Sequence, residues 1–378
     1  MIRTGLAIVG AGVAGLLTAY HLVGMGYSDI VFIERDYVGS GGSYRCATGI
    51  RASFTSREHI VLMKRAVELW PRLGDELDIP YLRGGYVWLL QSEDEVKEFR
   101  VYVDFQNKLG VPTRIIDPEE VREYVPPINI EHIVAGVYDP LAGKADPFKT
   151  VLHIYKYLVD HGVRFYTGTR ALKLVVENSR VKGVLTGKGI VEADKVLVAA
   201  GYGSRELMAT AGIDLPTENI PKHALVTERY REAFKPLVID WKYSSYIVQT
   251  FAGTFLIGSE IREEPDRPAT NRIDYLYRAA RVWTRHFPWL RVVNILRYWT
   301  GYYVMTPDHH PILGPVEDIE GLYIATGFSG HGFMMAPSAG EAVAQWIIDG
   351  KPGIREAENL VLTRFREGRM IKEIAVFG

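Results

Sequence analysis

The sequence has almost none of the residues that cross-link a chain or bind metals through sulfur. Its 378 residues contain one cysteine, Cys46, which excludes an intramolecular disulfide and a thiolate-based zinc or iron–sulfur site. This usage is typical of a reducing compartment, so we predict a cytoplasmic protein. Only four glutamines and seven asparagines occur, and this shortage is typical of thermophile proteins.

An excess of charge of either sign is also missing. The 44 Lys and Arg residues balance 45 Asp and Glu residues, for a net charge of -1, and no segment concentrates the basic ones. Nucleic acid is therefore excluded as a partner. The adjacent His309 and His310 are interpreted as loop residues, because neighbouring side chains on an extended segment point to opposite sides. We predict no metal site.

No charged residue occurs between Thr4 and Ser28, and such a run alone is typical of a membrane span. The run, however, contains six glycines and is followed by a second short apolar stretch, Ile30–Ile33, that ends at Glu34. These features favour a buried βαβ unit, so we predict no transmembrane segment.

Three glycines at G-x-G-x-x-G spacing, Gly10, Gly12 and Gly15, lie between a short apolar strand and a helix expected over about 13–25. The first permits a tight turn, the second lets backbone N–H groups approach a pyrophosphate, and the third lets the helix pack on the strand. Glu34 lies 19 residues beyond Gly15, where it would accept hydrogen bonds from ribose hydroxyls and repel the extra phosphate of NADP. The pattern predicts a site for FAD or NAD.

Segments far along the chain favour FAD, because an extended FAD must be held at both ends. The glycine-rich stretch 39–43 supplies backbone and hydroxyl donors. Two further strands end at glycine, one at Gly201 and one at Gly327, the latter before a helix expected over about 338–348. Short strands are expected at 163–165, 172–176, 181–185, 190–193 and 196–200. The predicted cofactor contacts are Gly10, Gly12, Val13, Ala14, Gly15, Glu34, Arg35, Ser40, Gly41, Gly42, Ser43, Arg45, Cys46, Thr48, Leu172, Ala200, Gly201, Gly327, Phe328, Gly330, His331, Gly332, Phe333 and Met334.

The order of these motifs, with Thr306-Pro307-Asp308 before the 311–314 segment and the 327–332 glycine motif, resembles the FAD-dependent amine and amino-acid oxidoreductases. This family includes glycine oxidase, sarcosine oxidase and D-amino-acid oxidase. Segments 44–51, 63–70, 143–148 and 332–337 are most similar to the catalytic β subunit of archaeal dye-linked L-proline dehydrogenases. The resemblance implies FAD, oxidation of a carbon–nitrogen bond, and electrons passed to a carrier or partner subunit.

The resemblance also implies an architecture. We expect α/β plus antiparallel β: a doubly wound, Rossmann-like FAD-binding domain formed by residues 1–80, 145–215 and 300–378. An interleaved antiparallel-sheet substrate domain would comprise 81–144 and 216–299, with a hairpin at 246–251 and 254–258 and a helix over about 272–286.

Four expected site residues follow from the resemblance and concern the substrate carboxylate. Arg51 is similar to an arginine that binds the carboxylate in sarcosine oxidase; the alternative is an arginine paired with a surface acid. Met334 replaces a carboxylate-binding lysine, and Tyr303 stands where glycine oxidase has an arginine. Tyr246 is similar to an active-site tyrosine, or is a half-buried strand residue.

Three further positions concern protons, oxygen and the flavin. Glu260 falls where sarcosine oxidase has an active-site histidine, so a carboxylate there would hold the substrate ammonium; the alternative is a solvated charge. The oxygen-activating lysine of sarcosine oxidase falls at Leu256, which favours a dehydrogenase. His331 would lie near the isoalloxazine, or only fix its loop.

The resulting hypothesis is an FAD-dependent dehydrogenase of L-proline or a similar secondary amino acid, with noncovalent FAD and a partner flavoprotein or carrier in a homo- or hetero-oligomer. Such a partner would place it at the inner face of the membrane. The alternatives are an oxidase of sarcosine, glycine or a D-amino acid, a non-catalytic FAD relay subunit, and an NAD-dependent Rossmann dehydrogenase.

Overall fold

The structure, a computed structural model, describes residues 2–376. Two large sheets and one small sheet carry the described strands. The helices are α1 (Val13–Gly24), α2 (Arg57–Leu77), α3 (Glu93–Lys108), α4 (Pro118–Tyr124), α5 (Pro147–Asp160), α6 (Ser204–Ala209), α7 (Ile273–His286) and α8 (Gly332–Asp349). The strands are β1 (Ile2–Val9), β2 (Ile30–Ile33), β3 (Gly49–Ile50), β4 (Tyr81–Leu82), β5 (Tyr86–Leu90), β6 (Arg114–Ile116), β7 (Ala135–Asp139), β8 (Gly143–Ala145), β9 (Arg164–Tyr166), β10 (Ala171–Glu177), β11 (Arg180–Thr186), β12 (Gly189–Val198), β13 (Glu218–Arg229), β14 (Leu237–Asp240), β15 (Ser245–Gln249), β16 (Thr254–Ser259), β17 (Ile295–Met305), β18 (Ile312–Pro315) and β19 (Leu322–Thr326).

The first large sheet has a parallel centre in the order β9-β2-β1-β12-β19, with β18 antiparallel at one edge and the β10-β11 meander on the first half of β12. The carboxyl ends of parallel strands meet at one edge of a sheet, where α/β proteins bind nucleotides. The glycines that follow β1 and β19, Gly10 and Gly327, therefore lie at the same edge as Ala200 after β12.

One strand prediction was wrong in detail. The sequence predicted separate strands at 190–193 and 196–200, but β12 runs without a break from Gly189 to Val198. Lys195 pairs with Leu6 of β1, so backbone pairing keeps the polar residues between the two apolar halves extended.

The second large sheet is mostly antiparallel, in the order β17-β13-β16-β15-β14-β5-β7-β6. Ala224, Gly258 and Tyr246 form one row across β13, β16 and β15. Because side chains alternate across a sheet, residues two positions along from this row point to the same face. That face packs toward the first sheet, and the opposite face packs on α7 around Tyr275 and Trp283.

Helix α8 begins at Gly332, six residues before the predicted start near 338. Pro337 lies inside the helix, so the glycine motif itself forms its first turn. Close packing fixes the helix: a Cβ on Gly340 would lie 2.8 Å from the carbonyl carbon of Leu17 in α1. Among residues 2–376, no helix is both long and apolar enough to cross a bilayer.

Candidate active site

A cavity of about 490 Å³ lies between the two large sheets and extends along the carboxyl edge of the parallel strands. Its walls include most residues predicted from sequence. Those lining it are Gly10, Gly12, Val13, Ala14, Glu34, Arg35, Ser40, Gly41, Gly42, Ser43, Arg45, Cys46, Leu172, Ala200, Gly201, Tyr246, Tyr303, Gly327, Phe328, Gly330, Gly332 and Phe333. Of the other predicted residues, Gly15, Thr48, Arg51, Glu260, His331 and Met334 do not line it.

The glycine loop has the geometry of a phosphate cradle. Gly10 has φ +102°, and a Cβ there would lie 2.4 Å from the carbonyl oxygen of Ala199. A Cβ on Gly15 would lie 2.5 Å from the carbonyl oxygen of Gly10, so a larger residue would push α1 off the strand. The N-cap residue Gly12 has no side chain to cap α1, and Ser43 Oγ accepts the N–H of Val13 at 2.9 Å. Other N–H groups of the first turn remain available at the cavity, where a pyrophosphate would bind.

Glu34 supports this loop. Its carboxylate accepts hydrogen bonds from the backbone N–H groups of Ala11 and Asp36, each at 2.9 Å. A carboxylate has about four acceptor sites, so capacity remains for ribose hydroxyls. Next to it, the Arg35 guanidinium lies 4.5 Å from the ring centroid of Tyr202 and donates to its hydroxyl. This pair closes the far end of the cavity.

The opposite end of the cavity is narrow and aromatic. A Cβ on Gly330, at φ +91°, would lie 2.3 Å from the Tyr303 ring, and a Cβ on Gly258 would lie 2.2 Å from the Tyr246 ring. Burial raises the pKa values of both phenols well above their ordinary value, so they are neutral hydrogen-bond donors at pH 7. Burial also raises the pKa of the Cys46 thiol to about 12, which keeps it protonated.

Lys222 is a cavity residue that the sequence reasoning missed. It extends from β13 into this end, with Nζ 5.6 Å from the Tyr303 ring centroid and 2.8 Å from Oε1 of Glu260. The Lys222 side chain is 13% exposed and that of Glu260 is 46% exposed. Glu260, for which the sequence left open a role in holding the substrate amine or a solvated charge, is half exposed and paired with Lys222. Alternation along β13, together with its register on β16, is the signal for this pair.

Arg51 is buried beside the cavity. Its guanidinium donates to the carbonyl oxygens of Ser53 at 2.5 Å and Ala375 at 2.6 Å, and lies 3.7 Å from the ring centroid of Phe54. Burial lowers the pKa of Arg51 to about 10, so the group remains charged at neutral pH. The charge of Arg51 acts on Tyr303, where it opposes the effect of burial on the pKa.

The segment 371–376, which we name the C-terminal strap, covers Arg51. It is held by the buried Glu373, whose carboxylate accepts from the backbone and hydroxyl groups of Thr55 and Ser56 at the start of α2. The positive end of the helix dipole favours a carboxylate at this place. A substrate carboxylate that binds Arg51 must therefore replace the carbonyl of Ala375 on the guanidinium.

Three buried histidines, His59, His310 and His331, form what we name the histidine cluster. Nδ1 of His59 lies 2.9 Å from Nδ1 of His310, and Nε2 of His59 lies 3.1 Å from Nδ1 of His331. Burial lowers the pKa values of His59 and His310 to about 3 and that of His331 well below its ordinary value. A neutral His59 donates one of these bonds and accepts the other, so the cluster fixes the loop around His331.

The remaining predicted residues have backbone or local roles. The Met334 carbonyl accepts from Nε1 of Trp70 at 2.9 Å, and Thr48 has φ +64°. Nδ1 of His309 lies 2.7 Å from the Glu373 carbonyl oxygen, so the two adjacent histidines point apart. Within residues 2–376, no cluster of His, Cys, Asp and Glu is arranged to hold a metal ion.

A parallel sheet with a phosphate cradle and a long cavity that ends under an antiparallel sheet defines a dinucleotide-binding oxidoreductase. A family model described as FAD dependent oxidoreductase matches residues 6–346, and the chain belongs to this family. The predicted resemblance, the α/β fold class and FAD as cofactor are thereby confirmed.

Individual relatives agree with this assignment. The β subunit of sarcosine oxidase from Rhodobacter capsulatus is 27% identical over 100% of this chain and 92% of its own length. The crystal structure of L-proline dehydrogenase from P. horikoshii superposes with a TM-score of 0.94 at 36% identity, over 97% of this chain and 99% of that one. Glycine oxidase from Bacillus cereus ATCC 14579 has the same fold, with a TM-score of 0.85 at 24% identity over 96% and 99% of the two chains.

Proposed function

We propose that the chain is an FAD-dependent dehydrogenase that oxidises L-proline, or a similar secondary amino acid, to a cyclic imine. The observation that carries this proposal is the similarity to L-proline dehydrogenase, with a TM-score of 0.94 over 97% of the chain. Oxidation removes a hydride from a carbon next to nitrogen and a proton from the nitrogen, and a C=N bond forms. When bound, FAD supplies the hydride acceptor.

The chain's own residues would position the substrate and exclude water. Tyr246 and Tyr303 would donate hydrogen bonds, because burial keeps both phenols neutral. Arg51 would hold the substrate carboxylate once its hydrogen bond to the Ala375 carbonyl of the C-terminal strap breaks. Arg51 suits this role because it is a buried cation within electrostatic reach of Tyr303. Leu256 is apolar, 6% exposed and outside the cavity lining, so it brings no charge to this end.

We propose a dehydrogenase instead of an oxidase because Lys222, the lysine that lines this end of the cavity, is already paired with a carboxylate. Lys222 is neutralised by Glu260 at 2.8 Å, and Leu256 offers no charge. Neither group would stabilise the negative charge that develops on oxygen as it is reduced. Electrons would pass to a carrier or to a partner subunit, and the β-subunit names of relatives such as that from Rhodobacter capsulatus support a multi-subunit assembly.

The test is an anaerobic absorbance titration of the purified FAD protein with L-proline, D-proline, sarcosine and glycine in parallel. We expect L-proline to bleach the flavin bands, and reoxidation by air to be much slower than reoxidation by a dye. Bleaching by another of these amines would show that this amine, and not L-proline, is the substrate. Rapid formation of hydrogen peroxide in air would show that the enzyme is an oxidase and not a dehydrogenase. No bleaching by any of them would refute the proposal.

A further inference from the structure

We call the 490 Å³ cavity between the two large sheets the flavin cavity. A second cavity of about 340 Å³ lies beside it, and we name this one the antechamber. Its charged lining comprises Lys222, Lys242, Glu260, Arg262, Glu263 and Arg278. Lys222 lines both cavities, and its ion-pair partner Glu260 lines the antechamber. A molecule that moved from the antechamber toward Tyr303 would therefore meet this pair first.

The register of the second sheet explains why this pair forms. Ala224 pairs with Gly258 on antiparallel strands, so Lys222, two residues before Ala224, lies opposite Glu260, two residues after Gly258. Both residues share the face that carries Tyr246, since side-chain direction alternates along a strand. Lys222 lies within β13, and Glu260 is the first residue after the end of β16 at Ser259.

The antechamber carries a net positive charge. The Glu263 carboxylate is already occupied by His223 at 2.8 Å and Arg272 at 3.1 Å. Lys242, Arg262 and Arg278 have no carboxylate partner within residues 2–376. A cleft lined by charge of one sign raises the local concentration of ligands of the opposite sign, so this cavity attracts carboxylates.

The Glu260 side of the pair is 46% exposed, whereas the Lys222 side chain is only 13% exposed. Opening the pair therefore leaves a mostly buried cation without its anion, and each of the two groups needs a new partner. A zwitterionic amino acid supplies both partners, because its carboxylate can form an ion pair with Lys222 and its ammonium can form one with Glu260. A ligand with only one of the two charges leaves one member of the pair unsatisfied.

We propose that Lys222 and Glu260 form a recognition site for zwitterionic amino acids at the entrance to the flavin cavity, reached through the antechamber. The proposal rests on the proposed function in one respect, that the substrate is an amino acid. It assigns specificity for the free amino acid to a pair outside the aromatic end of the cavity.

The test compares L-proline with its two halves, cyclopentanecarboxylate and pyrrolidine, which each carry one charge. Dissociation constants are measured by isothermal titration calorimetry on the FAD-loaded full chain, and L-proline is also followed by anaerobic flavin reduction. The variants are Lys222→Met and Glu260→Gln. Lys97→Met and Asp318→Asn serve as matched controls, because they also break an ion pair, at 3.0 and 2.6 Å, and border neither cavity.

We expect Lys222→Met to raise the dissociation constant of cyclopentanecarboxylate about tenfold and not to raise that of pyrrolidine. We expect Glu260→Gln to raise the dissociation constant of pyrrolidine about tenfold and not to raise that of cyclopentanecarboxylate. Tenfold corresponds to about 1.4 kcal/mol, the size of one charge-assisted contact. Lys222→Arg keeps the cation and should retain binding of cyclopentanecarboxylate, which separates a lost charge from a damaged fold. Both controls should bind each probe as the parent does.

Equal changes for the two halves, or no change, would overturn the proposal and leave an ordinary surface ion pair. Calorimetry of the halves does not depend on turnover. If the charge-specific changes appear but no amino acid reduces the flavin, the recognition site stands and the proposed function falls. If L-proline reduces the flavin without those changes, the proposed function stands and the recognition site falls.

Discussion

The contact between Gly330 and Tyr303 makes Gly330→Ala the most informative single substitution. A Cβ at residue 330 would lie 2.3 Å from one ring carbon of Tyr303 and 2.7 Å from two others. The ring must therefore move, and the space open to it is the cavity that it lines. We expect the displaced ring to compete with FAD for this space.

Two costs can be separated. The backbone at φ +91° disfavours an alanine by about 1–2 kcal/mol whether or not FAD is bound. The overlap with the ring adds about 1–3 kcal/mol. The apoprotein avoids this cost by moving the ring into the cavity, and FAD binding restores the cost because it forces the ring back. The dissociation constant for FAD should therefore rise about 5- to 150-fold.

The assay is fluorescence titration of the apoprotein with FAD. Gly212→Ala is the matched control, because Gly212 has φ +77° and nothing within 4 Å of an added Cβ. Gly212→Ala introduces only the backbone strain, which is the same with and without FAD, so its affinity for FAD should equal that of the parent. The double variant Gly330→Ala with Tyr303→Ala removes the overlap and should recover most of the lost affinity.

An unchanged FAD affinity in Gly330→Ala would refute the reasoning, since it would mean that the ring has other space to occupy. An equal loss in Gly212→Ala would refute it as well, because the effect would then belong to the backbone. Failure of the double variant to recover would show that Tyr303 itself holds the cofactor.

Three further predictions follow. The Asp308 carboxylate is paired with the buried Arg364 at 2.8 Å, so Asp308→Asn should lower the free energy of unfolding by about 3–5 kcal/mol, measured by urea unfolding at pH 7. Burial raises the pKa of Asp308, but Arg364 outweighs burial and the net effect lowers the pKa. The stabilisation is therefore present above the ordinary pKa near 3.9 and is lost as pH falls through the pKa of the folded state. Burial keeps the histidine cluster neutral, so its contribution to stability is complete above about pH 6.5. Below that pH the free energy of unfolding should fall by about 1.4 kcal/mol per pH unit for each histidine. Unfolding curves from pH 7.5 to 5.5 check this, and His310→Gln should reduce the slope by about 1.4 kcal/mol per pH unit. Arg51→Lys should raise the Michaelis constant for L-proline about tenfold, because lysine lacks the bidentate fork, and an unchanged constant in anaerobic reduction assays would remove Arg51 from carboxylate binding.

The nucleotide end of the site was predictable because its determinants are local. The spacing of Gly10, Gly12 and Gly15, the strands on either side and Glu34 lie within one short stretch, and each has a backbone requirement that few residues satisfy. The structure gives Gly10 a positive φ and leaves no room for a side chain at Gly15. Local sequence also placed α7, since Pro288 follows its end at His286.

The substrate end was less predictable because its contacts join distant parts of the chain. Lys222 meets Glu260 only through the register of β13 and β16, which no short pattern encodes. Arg51 lies under Ala375, more than 300 residues away, so its burial could not be inferred from its neighbours. His59 drew no attention in sequence because its partners, His310 and His331, come from two distant loops.

The pairing of β1 with β12 has a consequence for how the protein is made. Ile2 pairs with Val191, and Val198 pairs with Ile324 on β19. At about 5–20 residues per second, a ribosome delivers β12 roughly 10–40 s after β1 and β19 later still. During that interval the apolar βαβ unit has no sheet to join, and the flavin cavity has no second wall. Because residues up to Phe333 line the flavin cavity, FAD binding is one of the last events of biogenesis.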